Sequence, residues 1–147
     1  MNVEIGTIIP LAACLAYIVL IALAARQGLR SRLNQLFIWY AFLLMMWSLG
    51  SFMIHGYPIS VDPLYWNRFL IVSAVFASVA MFHFVLVFLG KSQPRLWLSL
   101  GYGLCAVFTL LTIMGYTVKS AYYVDGRMYQ ELGFAMVGAA LIAFSFS

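Results

Sequence analysis

Long stretches without any charged residue are the feature of this sequence that most restricts its fold. Eight Lys or Arg and four Asp or Glu are its only formally charged side chains, and they bound five charge-free runs, residues 5–25, 33–61, 69–90, 96–118 and 132–147. A helix needs about 20 apolar residues to cross a hydrocarbon core about 30 Å thick, so the first four runs are each long enough for one span. The sequence therefore predicts an all-α fold, a polytopic transmembrane helix bundle with about five spans.

The composition supports the same class of protein. Charged residues make up 8% of the chain, against roughly 25% in a soluble domain, which excludes a water-soluble globular enzyme. We expect one multi-pass membrane region over residues 1–147, with spans near 7–25, 35–55, 69–89, 96–116 and 132–147. The fifth run has only 16 residues and no Lys or Arg at its end, which favours the front part of a longer membrane domain.

The first run could alternatively be a cleaved signal peptide, because Ala22-Leu23-Ala24 looks like a cleavage site. The residues before it are acidic rather than basic, and the apolar run is longer than a signal peptide needs. Retention as the first span is therefore the favoured interpretation.

The distribution of basic residues predicts the orientation. The loops after spans one and three contain five bases and no acid, namely Arg26, Arg30, Arg32, Lys91 and Arg95, whereas the other polar segments hold three bases and all four acids. Since basic loops stay in the cytoplasm, we expect the N-terminus outside. The pI near 9.3 then reflects contact with anionic lipid headgroups, and nucleic acid is not an expected partner.

The two histidines, His55 and His83, are the candidate ligands for a haem or pigment. They lie at different depths, about 22 Å apart along the helical rise, so one haem cannot join them. His83 alone is either a ligand-binding residue at membrane depth or a neutral imidazole bonded to a neighbouring helix. Cys14 and Cys105 lie inside apolar runs, and we expect no disulfide, no metal site and no cofactor. The absence of Asp and Glu inside the spans argues against an ion-coupled transporter.

The longest polar segment, residues 117–131, contains three tyrosines around an Asp-Gly pair. Tyr122, Tyr123 and Tyr129 flank Asp125-Gly126, a pattern typical of a β-hairpin or an ordered flap on the outer face. Their phenol groups suit contact with a ligand or partner.

The start of span three offers two more candidate residues. Trp66 and Arg68 form an aromatic and basic anchor near the outer interface. Together with His83, Tyr122, Tyr123 and Tyr129 they are the candidate ligand-binding residues.

Several motifs follow one another in a characteristic order: Asn34-Gln35-Leu36-Phe37, Trp47-Ser48-Leu49-Gly50, Trp66-Asn67-Arg68, residues 82–90, Gly126 in the tyrosine-rich loop, and Gly133-Phe134. This order resembles the N-terminal seven-helix membrane sensor region of bacterial histidine kinases and related signalling proteins. The resemblance covers roughly residues 10–147, the first five of the seven helices.

The resemblance implies a non-catalytic sensor of a two-component system in the bacterial cytoplasmic (inner) membrane. Such a receptor would bind a small or lipid-like signal and pass it to a cytoplasmic transmitter that this chain does not contain. No phosphoacceptor or ATP-binding segment is present, so we expect no enzyme activity from the chain, and a kinase would lie beyond residue 147. Expected partners are membrane lipids and other transmembrane helices or subunits, including a second copy of the chain. The alternative is an accessory integral-membrane subunit of a respiratory or photosynthetic complex.

Overall fold

The computed structural model describes residues 5–56, 62–91, 95–124 and 127–146. The elements in chain order are α1 (Ile5–Arg26), α2 (Arg32–Gly56), α3 (Pro63–Phe88), α4 (Arg95–Ile113), β1 (Val118–Val124), β2 (Arg127–Leu132) and α5 (Met136–Ser145). Helices α1 to α4 are each long and apolar enough to cross a membrane, and α5 is a shorter apolar helix. The predicted fold class, a multi-pass membrane helix bundle, is confirmed.

Helix α3 begins earlier than the charge-free run indicates. Asp62 accepts a hydrogen bond from the Leu64 amide at 2.9 Å, and Pro63 occupies the first helical position. An acidic cap and a proline at this position both favour helix initiation. As a result Trp66 and Arg68 lie within the first two turns of α3 and not in a loop before it.

The fifth helix begins later than expected, at Met136 and not near Leu132. Leu132 instead pairs with Val118 in the sheet. The connection after the sheet is tight, because the Gly133 amide donates to Thr117 O at 2.7 Å. A Cβ atom at residue 133 would lie only 2.0 Å from Tyr116 O, so the backbones can approach this closely only with glycine.

Helix α3 is the centre of the bundle. It packs against α2 on one side and against α4, α5 and β1 on the other. Side chains on opposite faces of α3 belong to two buried clusters. The smaller cluster, on the α2 side, contains Ala77, Ala80 and Leu43. The larger cluster contains Ile71, Val75, Val79, Cys105, Phe108, Val118, Ala139, Ile142 and Phe146. The alanines on the α2 side allow the two backbones to approach closely.

Helix α1 packs mainly on α2, and most of its surface is exposed. Thr7 Oγ1 donates to His55 O at 3.4 Å, and Cys14 Sγ lies 3.5 Å from Met45 O. Side chains on the other faces, such as Ile9 with 62% of its surface exposed, are apolar. An apolar outer surface is what a lipid-facing helix requires.

Candidate ligand site at the hairpin end

Helices α1 to α4 alternate in direction, which gives the bundle two ends. The hairpin end consists of the start of α3, the end of α4 and strands β1 and β2. The basic end consists of the end of α1, the start of α2, the end of α3 and the start of α4. The sequence-predicted site residues other than His83 all belong to the hairpin end.

Strands β1 and β2 form the predicted hairpin. They pair antiparallel, from Val124 with Arg127 to Val118 with Leu132, and Lys119 is an extra residue in a bulge between Val118 and Ser120. The hairpin prediction is confirmed for the strands, while the predicted turn residues Asp125 and Gly126 lie outside the described residues. A bulge bends the strand and changes the direction of the following side chains.

Two neighbouring side chains of α3 attach the hairpin to the bundle. Asn67, which is buried, donates through Nδ2 to Gln130 Oε1 on β2. Arg68 Nη2 donates to Val118 O on β1 at 2.9 Å. Each strand is therefore connected to the first turns of α3 by one hydrogen bond, and the one from Arg68 is charge-assisted.

A cavity of about 300 Å³ lies beside Arg68, between α3 and α4. Its lining residues are Tyr65, Arg68, Phe69, Val72, Thr109, Thr112 and Ile113. The guanidinium is the only charged group among these seven. Gly115, with φ of 89°, leaves room for it, since a Cβ there would be 3.1 Å from Arg68 Nη2. The cavity combines one cation with a largely apolar wall, which is typical of sites for small amphipathic molecules.

Several buried polar atoms at this end lack a hydrogen-bond partner among the described residues. They are Trp66 Nε1, Arg68 Nε, Thr117 Oγ1 and Ser120 Oγ. Leaving such a group unsatisfied costs about 1–3 kcal/mol. Arg68 also forms no ion pair with an acidic side chain in the described ranges. Its Nε–H group is therefore a charged donor whose hydrogen bond is not made within the described part of the chain.

The candidate tyrosines lie farther along the hairpin. Tyr122 and Tyr129 are directly paired across the strands, and their rings stack with centroids 6.2 Å apart and an interplanar angle of 18°. Both are about half exposed, at 48% and 49%. Four residues separate Tyr122 from Val118, about 13 Å along a strand, so the pair does not line the cavity beside Arg68. The side chain of Tyr123 lies outside the described residues.

His83 is not part of this site. It lies about 22 Å farther along α3 than Arg68, where its Nδ1 is 3.3 Å from the Tyr102 hydroxyl and the two rings meet edge to face. A contact of this kind with a neighbouring helix, here α4, is expected if His83 is a neutral structural residue. Within the described ranges, no group of three or more His, Cys, Asp or Glu could hold a metal ion.

Sequence reasoning missed the polar residues that complete the hairpin end. Asn67, Thr112, Thr117 and Ser120 look in the sequence like ordinary residues near the ends of spans. Buried polar side chains need partners, so the adjacent pair Asn67-Arg68 inside a membrane helix was the available signal. No protein-family model, no curated protein and no solved structure matches this chain.

Proposed function

We propose that this chain is a non-catalytic membrane sensor module that binds a small signal molecule at the hairpin end. The observation that carries the proposal is Arg68, whose Nη2 is bonded to Val118 O while its buried Nε lacks a partner in the described part of the chain. One side of the guanidinium thus holds the fold together. Arg68 also lines the cavity, and we propose that a ligand bound there accepts a hydrogen bond from its Nε–H group.

The chemistry of the cavity favours a small carboxylate with an apolar body. A guanidinium binds a carboxylate through charge-assisted hydrogen bonds. Phe69, Val72 and Ile113 supply the apolar wall. A volume of about 300 Å³ is at the lower end of the range for ligand pockets and suits a molecule of about the size of benzoate or hexanoate.

Helix α3 offers a direct route from this site to the other end of the bundle. It carries Arg68 near its start and ends at Phe88, about 30 Å away at the helical rise. It also contacts every other helix except α1 among the main packing pairs. A small tilt or translation of a rigid central helix is a common way to transmit a binding event, and we propose that the receiving cytoplasmic transmitter acts on this movement.

The test is ligand-dependent thermal stabilisation of the purified protein in detergent. Benzoate and hexanoate should raise the melting temperature, and uncharged benzamide should not. At about 100 times its Kd a ligand stabilises the folded state by about 2.7 kcal/mol. Arg68→Gln should remove the carboxylate effect, whereas the matched variant Lys119→Gln, which removes an exposed cation from the same end, should keep it. Equal responses of both variants, or no response of the unaltered protein to either carboxylate, would contradict the proposal.

The alternative function, an accessory membrane subunit, is favoured by a different feature. An apolar groove of about 560 Å³ runs between α4 and α5, and its lining includes Trp97, Leu104, Phe134 and Leu141. A helix of a partner subunit could occupy it. A membrane subunit that co-purifies in stoichiometric amount and is lost in Leu104→Trp, with no carboxylate response, would favour this function over the sensor.

A further inference from the structure

Three cations from two parts of the sequence line one cavity at the basic end. Arg32 is the first residue of α2, Lys91 follows α3, and Arg95 is the first residue of α4. Together with Leu98 they line a cavity of about 450 Å³. We propose that this cavity binds the phosphate group of an anionic phospholipid. The proposal is independent of the ligand site at the hairpin end.

The electrostatics of the basic end favour an anion. Residues 26–34 and 89–95 contain no Asp or Glu. The acidic side chains that the structure describes, Asp62 and Glu131, belong to the hairpin end. Three cations around one open cavity repel each other, and a bound anion reduces this repulsion. Phosphate oxygens match the geometry, because arginine binds them through two parallel hydrogen bonds and lysine as a point charge.

The apolar surroundings favour a lipid as the source of the phosphate. Leu98 forms the apolar wall of the cavity. Next to it, the first turn of α4 exposes 72% of Leu96 and 59% of Trp97. Tryptophan is enriched at the level of lipid headgroups, and leucine suits the acyl chains below them. Basic pockets between transmembrane helices are a known form of headgroup site.

The experiment measures lipid selectivity of the purified chain. The protein is placed in mixed micelles that contain phosphatidylglycerol and phosphatidylcholine, and bound lipids are counted by native mass spectrometry. The pocket variant Lys91→Gln with Arg95→Gln is compared with the control variant Arg26→Gln with Arg30→Gln, which removes the same charge from the same end but outside the cavity. The pocket variant should lose about tenfold more selectivity for phosphatidylglycerol than the control.

Two further measurements keep the result decisive. Circular dichroism and size exclusion establish that both variants fold, and the single variants Lys91→Gln and Arg95→Gln replace the double variant if it does not. Inorganic phosphate is added to the unaltered protein at the same ionic strength as a chloride control. Retention of phosphatidylglycerol in phosphate supports the lipid source, whereas its displacement by phosphate but not by chloride would assign the cavity to soluble phosphate compounds. Equal loss of selectivity in the pocket and control variants would overturn the proposal.

Discussion

The two ends of the bundle use their cations in opposite ways. At the hairpin end, Arg68 is partly buried and donates to Val118 O, so its charge is part of the structure that attaches β1 to α3. At the basic end, Arg32, Lys91 and Arg95 are exposed around an open cavity. The same residue types therefore bond the backbone at one end and line an open cavity at the other.

The difference has a physical cause in the backbone. The strands at the hairpin end present carbonyl groups that a guanidinium can bond, and the bulge at Lys119 interrupts the regular pairing next to Val118. At the basic end the described segments are helix ends and short connections, and the three cations there are exposed. Substitution of Arg68 at the hairpin end should consequently affect folding as well as ligand binding, whereas substitutions of the cations at the basic end should affect binding alone.

The largest expected effect is at the connection between the hairpin and α5. Gly133→Ala would place a Cβ 2.0 Å from Tyr116 O, and the backbone would have to move, so the cost in the free energy of unfolding should lie at the upper end of the range of about 1–3 kcal/mol for overpacking. The control is Gly103→Ala in α4, where the added Cβ meets no described atom within 4 Å apart from its own chain neighbours and the nearby helix backbone and helix propensity favours alanine. Denaturant unfolding in detergent micelles measures both. Similar stability of the two variants would contradict the close packing described for the hairpin end.

The comparison between the two ends is tested directly by one arginine from each. Arg68→Gln removes the charge-assisted bond to Val118 O and should lower the free energy of unfolding by about 1.5–3 kcal/mol. Arg95→Gln, at an exposed helix end, should stay within about 0.5 kcal/mol of the unaltered protein. The same unfolding measurement in lipid-free detergent gives both values. A larger loss for Arg95→Gln would reverse the assigned roles.

A smaller effect is expected on the hairpin itself. Replacing Tyr122, Tyr123 and Tyr129 together with Ser removes the Tyr122–Tyr129 stack, which contributes about 0.5–1.5 kcal/mol. Membrane insertion should not change, because it depends on the helices. If the ligand binds beside Arg68, the carboxylate-induced shift in melting temperature is kept. Loss of that shift would place the ligand on the tyrosines instead.

A small effect on the free energy of unfolding is expected at His83, which lies on α3 away from the hairpin-end site. His83→Gln keeps a group that can bond the Tyr102 hydroxyl, and interhelical hydrogen bonds of this kind contribute about 0.6 kcal/mol on average. Stability should therefore change little. A Soret band in the purified protein that disappears in this variant would show that His83 binds haem.

The fold was predictable because charges are so rare in this sequence. The charge-free runs locate α1 to α4, and the Asp-Gly pair between tyrosines indicates the hairpin. The same criterion misplaced the start of α3, because a helix in a membrane protein can extend beyond its apolar part when Asp62 and Pro63 favour an earlier start. It also placed the start of the fifth helix at Leu132, which is four residues too early. Leu132 is apolar and follows the last charged residue, but it is the last residue of β2.

The candidate site was only partly predictable. Trp66 and Arg68 stand out in the sequence because they are an aromatic and a charged residue at a span boundary. The bond from Arg68 to Val118 O joins residues fifty positions apart, which no local pattern contains. The convergence of Arg32 with Lys91 and Arg95 is likewise a property of the packed bundle. The sequence predicts that these cations share one side of the membrane, but it does not indicate that they share one cavity.

The sensor proposal depends on one claim, that the hairpin end faces the outside and the basic end faces the cytoplasm. Accessibility of single cysteines tests it most directly, because Lys119 and Ser31 are exposed at opposite ends while the native Cys14 and Cys105 are buried. In intact cells a membrane-impermeant thiol reagent should label Lys119→Cys, and it should label Ser31→Cys only after the membrane is permeabilised. Labelling of Ser31→Cys in intact cells, with Lys119→Cys protected until permeabilisation, would contradict the account.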